Sequence, residues 1–468
     1  MLRMFMNSQF LVTSFLINAL FGQTPEMAKV IYQKALSSNE AYQTLNELTM
    51  NVGHRISGSE NFTKAMAWGV ATMKAKGLVN VRTEKVMSPR WVRGKESIQL
   101  ISPRPMNLTM LGLGMSVGTP QEGLTGEVVI VDDFDHLEKL GEQVRGKIVL
   151  FDVPFVTYDR SVTYRSSGPS RAAQYGAIAC LIRSAGSSNS NTPHTGTLSY
   201  DSRWPKIPAA ALSLEHAILL RRMSESNQKI IIKLNMEAKQ LSDVEEGNVI
   251  GEIIGSKNPK EIIVLSGHLD SWDVGQGAQD DGAGCIIALE AASLLNQMKI
   301  VPERTIRVVL FANEENGVAG GRSYRERHES ELNNHIALLE SDSGNGRITG
   351  FTLDLPGRPP RQRGVNPYGD KSLKGDPSLI ERFQSLAKFQ EISGAKAFTL
   401  GMSGVDVSPM VEAGAVGIGA SHNMSKYFDV HHTEADTFDK IIKADLQHNV
   451  GSVAILAYTL SFSSTRLQ

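Results

Sequence analysis

One short stretch of the chain concentrates side chains that can bind metal ions and move protons. Residues 261–284 read EIIVLSGHLDSWDVGQGAQDDGAG, an apolar strand-like run followed by a glycine-rich loop. The reactive side chains of this loop are His268, Asp270, Asp273, Asp280 and Asp281. An imidazole beside several carboxylates suits a divalent metal, and zinc fits it best. Taken alone, the stretch is equally compatible with an acidic loop that merely faces solvent.

Two further apolar strands also run into carboxylates. The strand predicted at 305–311 is followed by Glu314 and Glu315, and the strand predicted at 336–340 is followed by Asp342. In open α/β sheets, ligands bind at the carboxyl ends of the strands. Recurrence at several strand ends therefore favours one shared site over unrelated surface acids.

A pair of adjacent histidines completes the candidate donor set. His431 and His432 lie in the segment VHHTEADT, ahead of the last predicted helix. Imidazole nitrogens join carboxylate oxygens readily at a zinc ion. The second half of the chain thus supplies candidate ligands from four separate segments.

The elements that must position these groups alternate between strand and helix after Asn248. Short apolar runs rich in β-branched residues predict strands, and longer runs of helical periodicity predict helices. The predicted strands are 249–254, 261–266, 305–311, 336–340, 397–400 and 416–418, and the predicted helices are 285–297, 323–333, 378–390 and 443–462. This alternation predicts an α/β fold, a doubly wound and mostly parallel sheet with helices on both faces.

The region between residues 95 and 245 differs from the rest of the chain in its predicted secondary structure and in its lack of clustered ligands. Short strand-like runs recur at 127–131, 147–151, 177–182 and 229–234, and histidines and carboxylates do not cluster between them. We interpret this region as an inserted, β-rich accessory domain. Its long loop at 183–204 carries His194 and is either a lid or binding loop or a disordered connection.

Length and composition exclude several classes of protein. The 468 residues exceed one ordinary core, so two domains are expected. With 48 Lys and Arg against 49 Asp and Glu, the net charge of −1 gives no reason to expect binding to nucleic acid or to an anionic membrane. Cys180 and Cys285 are predicted to be buried and unpaired rather than joined in a disulfide.

The first 22 residues predict a signal peptide. Residues 10–22 form an uncharged apolar run that is too short to span a bilayer as a mature helix. A membrane anchor is the alternative, and no later segment is long and apolar enough to span. Sequons at Asn61, Asn107 and Asn423 fit a secretory route to the outside or to the endolysosomal lumen.

These motifs resemble the co-catalytic di-zinc exopeptidases, a family that includes aminopeptidases and glutamate carboxypeptidases. The matching segments are GHLDSWDVGQGAQDDGAG (267–284), LFANEENG (310–317), ESDSG (340–344), HHTEADT (431–437), GHRISGS (53–59) and NTPHTG (191–196). RGKIVLF (145–151), AAQYGAIACLI (172–182) and IPAAALSLEHA (207–217) resemble a protease-associated domain.

The resemblance implies a division of the chain and a set of partners. Residues 1–22 would be the signal peptide, 23–94 the first part of the catalytic domain, 95–245 the insertion and 246–468 the rest of the catalytic domain. It also implies small peptide substrates and a homodimer.

The resemblance assigns the five protein ligands of two zinc ions per chain. His268 and Asp342 would bind one ion, and Glu315 and His432 the other. Asp280 would bind both ions as the bridging ligand. Each ion then keeps an open position for substrate.

Two neighbours of these ligands receive other roles. Glu314 would be the general base and Asp270 would orient the imidazole of His268. A cis peptide would join Asp280 to Asp281. Two zinc ions roughly 3.5–4 Å apart can lower the pKa of a bridging water towards about 7. Glu314 could then take the proton of that water and pass it to the leaving amine.

The substrate pocket is the least defined part of the sequence. Asp406 either lines it or caps a helix, while Tyr427 and His431 either border it or pack inside the fold. His194 of the 183–204 loop is a further candidate for the pocket. Residues 346–375 depart from the family pattern, which leaves specificity open. His54 and Arg55 either serve the site or pin a turn between helices, and the turn is the favoured interpretation.

The leading hypothesis is a di-zinc exopeptidase that hydrolyses small unblocked peptides such as dipeptides. One alternative is a catalytically silent, receptor-like ectodomain of the same fold, and another is a single-zinc acyltransferase of the glutaminyl cyclase type. The peptide end that is recognised stays open, because a free carboxylate would need an Arg or Lys that the sequence does not place.

Overall fold

The computed structural model describes residues 24–187, 190–360, 368, 376–463, 466 and 467. The predicted signal peptide at 1–22 lies outside these residues, as do 361–367 and 369–375 of the segment that departs from the family pattern. Among the helices of the described residues, none combines the length and the apolar character needed to cross a bilayer.

Many helices begin where the sequence supplies a cap. Thr24, Ser59 and Asp133 each precede a helix and accept a backbone N–H of its first turn, which satisfies a donor without an intrahelical partner. The α-helices are α1 (Pro25–Ser37), α2 (Glu40–Asn51), α3 (Glu60–Ala75), α4 (Phe134–Leu140), α5 (Tyr158–Gln174), α6 (Leu214–Glu225), α7 (Ala283–Gln297), α8 (Ala319–Arg327), α9 (Pro377–Ser385), α10 (Ser408–Glu412) and α11 (Lys443–Phe462). Short 3₁₀ turns lie at Gly141–Val144, Glu329–Asn334, Leu386–Gln390, Tyr427–Asp429 and Phe438–Lys440, and a π turn at Ala278–Gly282.

The strands form two sheets. They are β1 (Val79–Val92), β2 (Glu96–Ser102), β3 (Met106–Leu108), β4 (Met110–Gly112), β5 (Leu124–Val131), β6 (Ile148–Phe151), β7 (Ala179–Arg183), β8 (Ala209–Leu212), β9 (Ile231–Met236), β10 (Lys239–Ile253), β11 (Asn258–His268), β12 (Arg304–Phe311), β13 (His335–Glu340), β14 (Ile348–Asp354), β15 (Ala397–Leu400) and β16 (Gly417–His422). The first sheet has the order β1-β10-β12-β11-β13-β16-β14-β15, and the second has the order β3-β2-β9-β5-β6-β7-β8-β4.

The first sheet is the predicted doubly wound one, and its core lies on both faces. Its central strands β12, β11, β13 and β16 run parallel, and every residue of β12 and β13 is buried. Helices α1, α2, α7 and α11 contribute to the apolar cluster on one face, while Tyr324 of α8 and Met410 of α10 belong to the cluster on the other. The predicted α/β class is confirmed.

The second sheet is built by residues 96–236 and contains more helix than the sequence suggested. Strands β5, β6, β7 and β8 run parallel at its centre. Helix α4 lies between β5 and β6 along the chain, α5 lies between β6 and β7, and α6 follows β8. Parallel neighbours need such crossover connections. The domain limits inferred from the sequence stay a prediction.

A long antiparallel ribbon joins the two sheets. Strand β1 pairs with β10 from Val79 opposite Glu252 to Val92 opposite Lys239. The sequence indicated only the last part of β10 and gave no sign of β1, because β1 is half exposed and its alternation is interrupted by charged residues. Two predicted helices also had wrong bounds, since α8 ends at Arg327 and α9 at Ser385, each continued by a 3₁₀ turn. Both cysteines are free and buried, as predicted.

Candidate metal centre

The glycine-rich loop after β11 is held by a buried arginine. Strand β11 ends at His268, and Arg55 lies fully buried beneath the following residues. Its guanidinium donates to the carbonyl oxygens of Leu269 at 2.6 Å, Gln276 at 2.8 Å and Gly277 at 2.9 Å. Arg55 therefore fixes the loop from behind, which agrees with its interpretation as a structural residue.

The predicted ligands converge at the carboxyl edge of the first sheet in two groups that share Asp280. Its Oδ1 lies 3.2 Å from Nε2 of His268, which is also 3.5 Å from Oδ1 of Asp342. Its Oδ2 lies 3.2 Å from Nε2 of His432, which is 3.1 Å from Oε2 of Glu315. The two oxygens of one carboxylate thus face two separate histidines.

These side chains have the composition of a cation site, and some of their buried oxygens lack hydrogen-bond partners. Oδ2 of Asp280 and Oε1 of Glu315 are buried and lack a hydrogen-bond partner among the described residues. Ligand atoms of His268, Asp280 and Glu315 lie within 4.8 Å of one another, as do those of Asp280, His431 and His432. A buried carboxylate oxygen is costly unless a donor or a cation meets it. The residues therefore fit bound zinc.

The electrostatics of the site also call for positive charge. Burial raises the pKa of Glu315 to about 7, and the negative charge of Asp280 acts in the same direction. Burial likewise raises the pKa of Glu314, reinforced by Asp342 and Glu315. Crowded carboxylates at low dielectric must either take up protons or share a cation.

Asp270 acts mainly on the backbone that carries the two glutamates. Its Oδ1 accepts the N–H of Glu314 at 3.0 Å, and its Oδ2 accepts the N–H of Glu315 at 3.2 Å. The imidazole of His268 instead has its Nδ1 3.0 Å from the main-chain oxygen of Asp270, with the carboxylate at 3.6 Å. The expected orientation of His268 thus comes from the carbonyl of Asp270 rather than from its carboxylate.

Asp436, which was not among the residues predicted from the sequence, fixes the backbone at Asp280. Asp436 accepts the N–H of Gln279 at 2.7 Å and of Asp280 at 3.1 Å. The peptide between Asp280 and Asp281 is cis, as the resemblance implied. Both oxygens of Asp281 accept backbone N–H groups, from His268 and Gly284. The signal for Asp436 was its place in the HHTEADT motif.

The other pocket candidates divide into two groups. His431 stacks on His432 with ring centroids 3.6 Å apart and lies 3.5 Å from Oδ2 of Asp280, and the ring of Tyr427 packs 5.0 Å from that of His431. Asp406 is fully buried and does not cap α10, whose first residue is Ser408. The helix-cap alternative for Asp406 is therefore wrong, and its burial keeps it beneath the site rather than on an open wall.

Several residues of the inserted domain lie at the site, among them Thr195, Arg165 and His194. The N–H of Thr195 donates to the carbonyl of His432 at 3.0 Å, and the carbonyl of Thr195 lies 3.2 Å from Nδ1 of His432. Arg165 of α5 places Nη1 3.3 Å from the same carbonyl. His194, predicted as a pocket residue, is buried beside them, and burial lowers its pKa to about 4 with His432 and Arg165 acting in the same direction. The sequence gave no signal for Arg165 or Thr195.

The three sequons differ in their exposure. Asn107 and Asn423 are exposed, whereas Asn61 is half-buried at the start of α3 and donates to the carbonyl of His54. Glycosylation at these asparagines stays a prediction.

An α/β sheet that gathers paired carboxylates and imidazoles at its carboxyl edge is suited to a metalloenzyme. Residues 248–457 match the family described as Peptidase family M28. Carboxypeptidase Q of Homo sapiens is 36% identical over 439 residues, 93% of this chain and 89% of that protein, and carboxypeptidase Q of Xenopus laevis is 37% identical over 415 residues, 88% and 84% of the two chains. The chain belongs to peptidase family M28.

Solved structures agree with this assignment. A peptidase M28 precursor from Shewanella amazonensis SB2B superposes with a TM-score of 0.88 at 33% identity, covering 95% of this chain and 98% of that one. The zinc aminopeptidase of Bacillus subtilis shares the fold, with a TM-score of 0.65 at 20% identity over 91% and 96% of the two chains. The resemblance to exopeptidases inferred from the motifs is confirmed at the level of the family, and with it the prediction of a peptidase.

Proposed function

We propose that the chain is a di-zinc exopeptidase that hydrolyses small unblocked peptides, dipeptides among them. The observation that carries the proposal is the position of Asp280, whose two oxygens face His268 on one side and His432 on the other. One carboxylate between two imidazole groups suits a pair of cations rather than a single one. The relatives named carboxypeptidase Q and zinc aminopeptidase support both the metal and the class of reaction.

Each zinc ion has a distinct set of protein ligands in this proposal. His268 and Asp342 would hold one ion, Glu315 and His432 would hold the other, and Asp280 would be shared by both. Bound zinc would polarise the scissile carbonyl and make a water acidic enough to attack at neutral pH. Buried Glu315 and Asp280 each have an oxygen without a hydrogen-bond partner among the described residues, and a bound cation would satisfy both oxygens.

Glu314 is the proposed general base, which takes up the proton of the attacking water. Its backbone is fixed by Asp270, and burial together with Asp342 and Glu315 raises the pKa of its carboxyl group. A carboxylate with a raised pKa is a stronger base than an exposed one. Glu314 therefore accepts a proton from the attacking water and donates it to the leaving amine.

The secretory route and the homodimer also belong to this proposal. Exposed Asn107 and Asn423 suit glycosylation in the secretory pathway, and the apolar run at residues 10–22 suits a signal peptide. Mass spectrometry of the secreted chain would read the cleavage position and the glycans together.

Replacing Glu314 by Gln tests the mechanism. We expect Glu314→Gln to keep both zinc ions by elemental analysis and to lose at least about 100-fold in kcat on a dipeptide, the smallest factor typical of a general base. The matched control is Glu326→Gln on the exposed side of α8, which should behave as the wild type.

The same measurements separate the alternatives. Full activity in Glu314→Gln would refute the role of Glu314 as base. One zinc ion per chain would favour the glutaminyl cyclase type. Two zinc ions without turnover of any small peptide by the wild type would favour a receptor-like ectodomain.

A further inference from the structure

A buried carboxyl group on the ribbon of β1 and β10 has no cationic partner. Glu246, on β10, is 7% exposed. No Lys, Arg or His side chain of the described residues lies within ion-pair distance of it, whereas its neighbour Glu245 pairs with Lys85 at 3.0 Å. One oxygen of Glu246 accepts the N–H of Gly58 at 2.5 Å, and the other has no hydrogen-bond partner among these residues. Because an unpaired buried charge is unfavourable, ionised Glu246 calls for a cation from outside the chain.

Two serine hydroxyls lie beside this carboxyl group. Val86 of β1 is directly opposite Glu246, so Ser88, two positions further along β1, projects from the same face of the ribbon. Ser57 immediately precedes Gly58, whose N–H bonds to the carboxylate. Both serines are fully buried, and neither hydroxyl has a hydrogen-bond partner within the described part of the chain. Three segments thus bring together oxygen atoms that have no donor to bond.

The electrostatics of Glu246 agree with this arrangement. Burial raises the pKa of Glu246 to about 7, and the negative charge of Asp270 acts in the same direction. The N–H of Gly58 and the hydroxyls of Ser88 and Ser57 act in the opposite direction, which places both hydroxyls close to the carboxyl group. Oxygen atoms that lie close together without bonding to each other are typical of groups that share one ligand.

The types of oxygen in this cluster suit a monovalent alkali cation. Carboxylate and hydroxyl oxygens are hard ligands, which favour hard cations. One carboxylate balances one positive charge, whereas a divalent ion would leave a net charge buried. A water molecule could bond to the same oxygens, but it would leave the charge of the carboxylate uncompensated.

We propose that Glu246, Ser57 and Ser88 bind a sodium or potassium ion. The ion would join the turn at residues 53–59 to both strands of the ribbon. The site is separate from the proposed zinc site, and the proposal does not depend on the proposed function.

The position of this site gives the ion a structural role. Arg55 belongs to the same turn and donates to the carbonyl oxygens of Leu269 and Gly277 in the glycine-rich loop. That loop leads directly to Asp280, the proposed bridging ligand. A cation that fixes the turn would therefore also stabilise the support of the metal centre.

Replacement of choline by an alkali cation tests the site. The free energy of unfolding of the full chain is measured in urea at pH 8, in choline chloride and in sodium or potassium chloride of equal concentration. A salt concentration 100-fold above the Kd should raise the ratio of folded to unfolded protein about 100-fold, or about 2.7 kcal/mol. Glu246→Gln should abolish this gain. The matched control Glu245→Gln, which removes an exposed neighbouring carboxylate, should keep it.

A second variant and a direct measurement of binding complete the test. Ser88→Ala leaves the charge of the site unchanged and should raise the Kd about 10-fold, the effect typical of one lost polar contact. The ²³Na resonance should broaden in the presence of the native wild type and sharpen again when potassium is added. Glu246→Gln should not broaden it.

Each outcome decides the proposal. Equal stability in choline and in alkali chlorides would overturn it, since a buried water or a protonated carboxyl group would then satisfy these oxygens. An equal gain in Glu246→Gln would overturn it as well, because the ions would act elsewhere. The gain should disappear at pH 4.5, where a group with a pKa of about 7 is protonated, and a gain that persists there would contradict the site. In choline chloride at pH 8 the wild type should be less stable than Glu246→Gln, and sodium should narrow the difference.

Discussion

Gly196 of the inserted domain lies against Arg165 and His432, and its replacement by Ala should selectively weaken the binding of one of the two proposed zinc ions. Its φ is +133°, and a Cβ there would lie 2.3 Å from Nη1 of Arg165 and 2.7 Å from Nδ1 of His432. Such distances force either the guanidinium or the imidazole to move. The neighbouring Thr195 holds His432 through two backbone contacts, so a displaced loop also loses these.

The expected magnitude follows from the role of Thr195. Loss of a group that orients a metal-binding histidine typically lowers metal affinity 10- to 100-fold, which corresponds to about 1.4–2.8 kcal/mol. The backbone conformation adds about 1–3 kcal/mol to the destabilisation of the folded chain. Under the proposed ligand assignment, only the ion at Glu315 and His432 should bind more weakly, because among the described residues no hydrogen bond or ion pair joins His268 or Asp342 to residues 194–196.

Competition with a chelator measures this directly. Gly196→Ala should release one zinc ion at a 10- to 100-fold lower chelator concentration and keep the second at the wild-type value. Gly146→Ala is the control, since Gly146 also has a positive φ of +72° but a Cβ there meets nothing within 4 Å. Two unchanged zinc affinities in a destabilised Gly196→Ala protein would refute the proposed link between the loop and the metal.

Two further predictions concern buried charge. Burial raises the pKa of Glu246 to about 7, so this group favours the folded state below about pH 4.5 and loses that contribution as the pH rises to 7. Urea unfolding should therefore give Glu246→Gln a free energy of unfolding about 3 kcal/mol above that of the wild type at pH 8. At pH 4.5 the two free energies of unfolding should be equal. Arg358 pairs with Asp354 at 2.6 Å, both fully buried, so Arg358→Met should cost about 3–5 kcal/mol of unfolding free energy, whereas Arg358→Met together with Asp354→Leu should recover much of it.

The clustering of the proposed metal ligands could be predicted because local sequence and sheet topology agree on where these residues lie. His268 ends β11, and Glu314, Glu315 and Asp342 follow β12 and β13 within a few residues. These strands are buried on both faces and therefore appear as continuous apolar runs. Parallel neighbours bring their carboxyl ends to one edge, so the order of the residues along the chain was enough to place them together.

The contribution of the inserted domain could not be predicted in the same way. Arg165 lies inside a helix rich in polar residues, and its neighbour His432 is 267 positions away along the chain. Periodicity describes which face of an element is buried, not which distant loop covers it. The absence of clustered ligands between residues 95 and 245 led to the interpretation of an accessory domain, yet this domain supplies the residues nearest to one side of the metal centre.

The two domains consequently share the metal centre. Thr195 of the inserted domain contacts the imidazole of His432 through its carbonyl oxygen. Arg93, at the boundary of that domain, donates both to Asp273 of the glycine-rich loop and to the carbonyl of Gly112. If His432 binds zinc as proposed, the ion would therefore stabilise the docking of the inserted domain, because a ligand stabilises whichever arrangement binds it better. The converse also holds, since the domain that orients His432 raises its affinity for zinc. Metal binding and domain docking are thus linked by one coupling free energy, and each strengthens the other by the same amount. A change at residues 194–196 should therefore alter the zinc affinity and the stability of docking in the same direction.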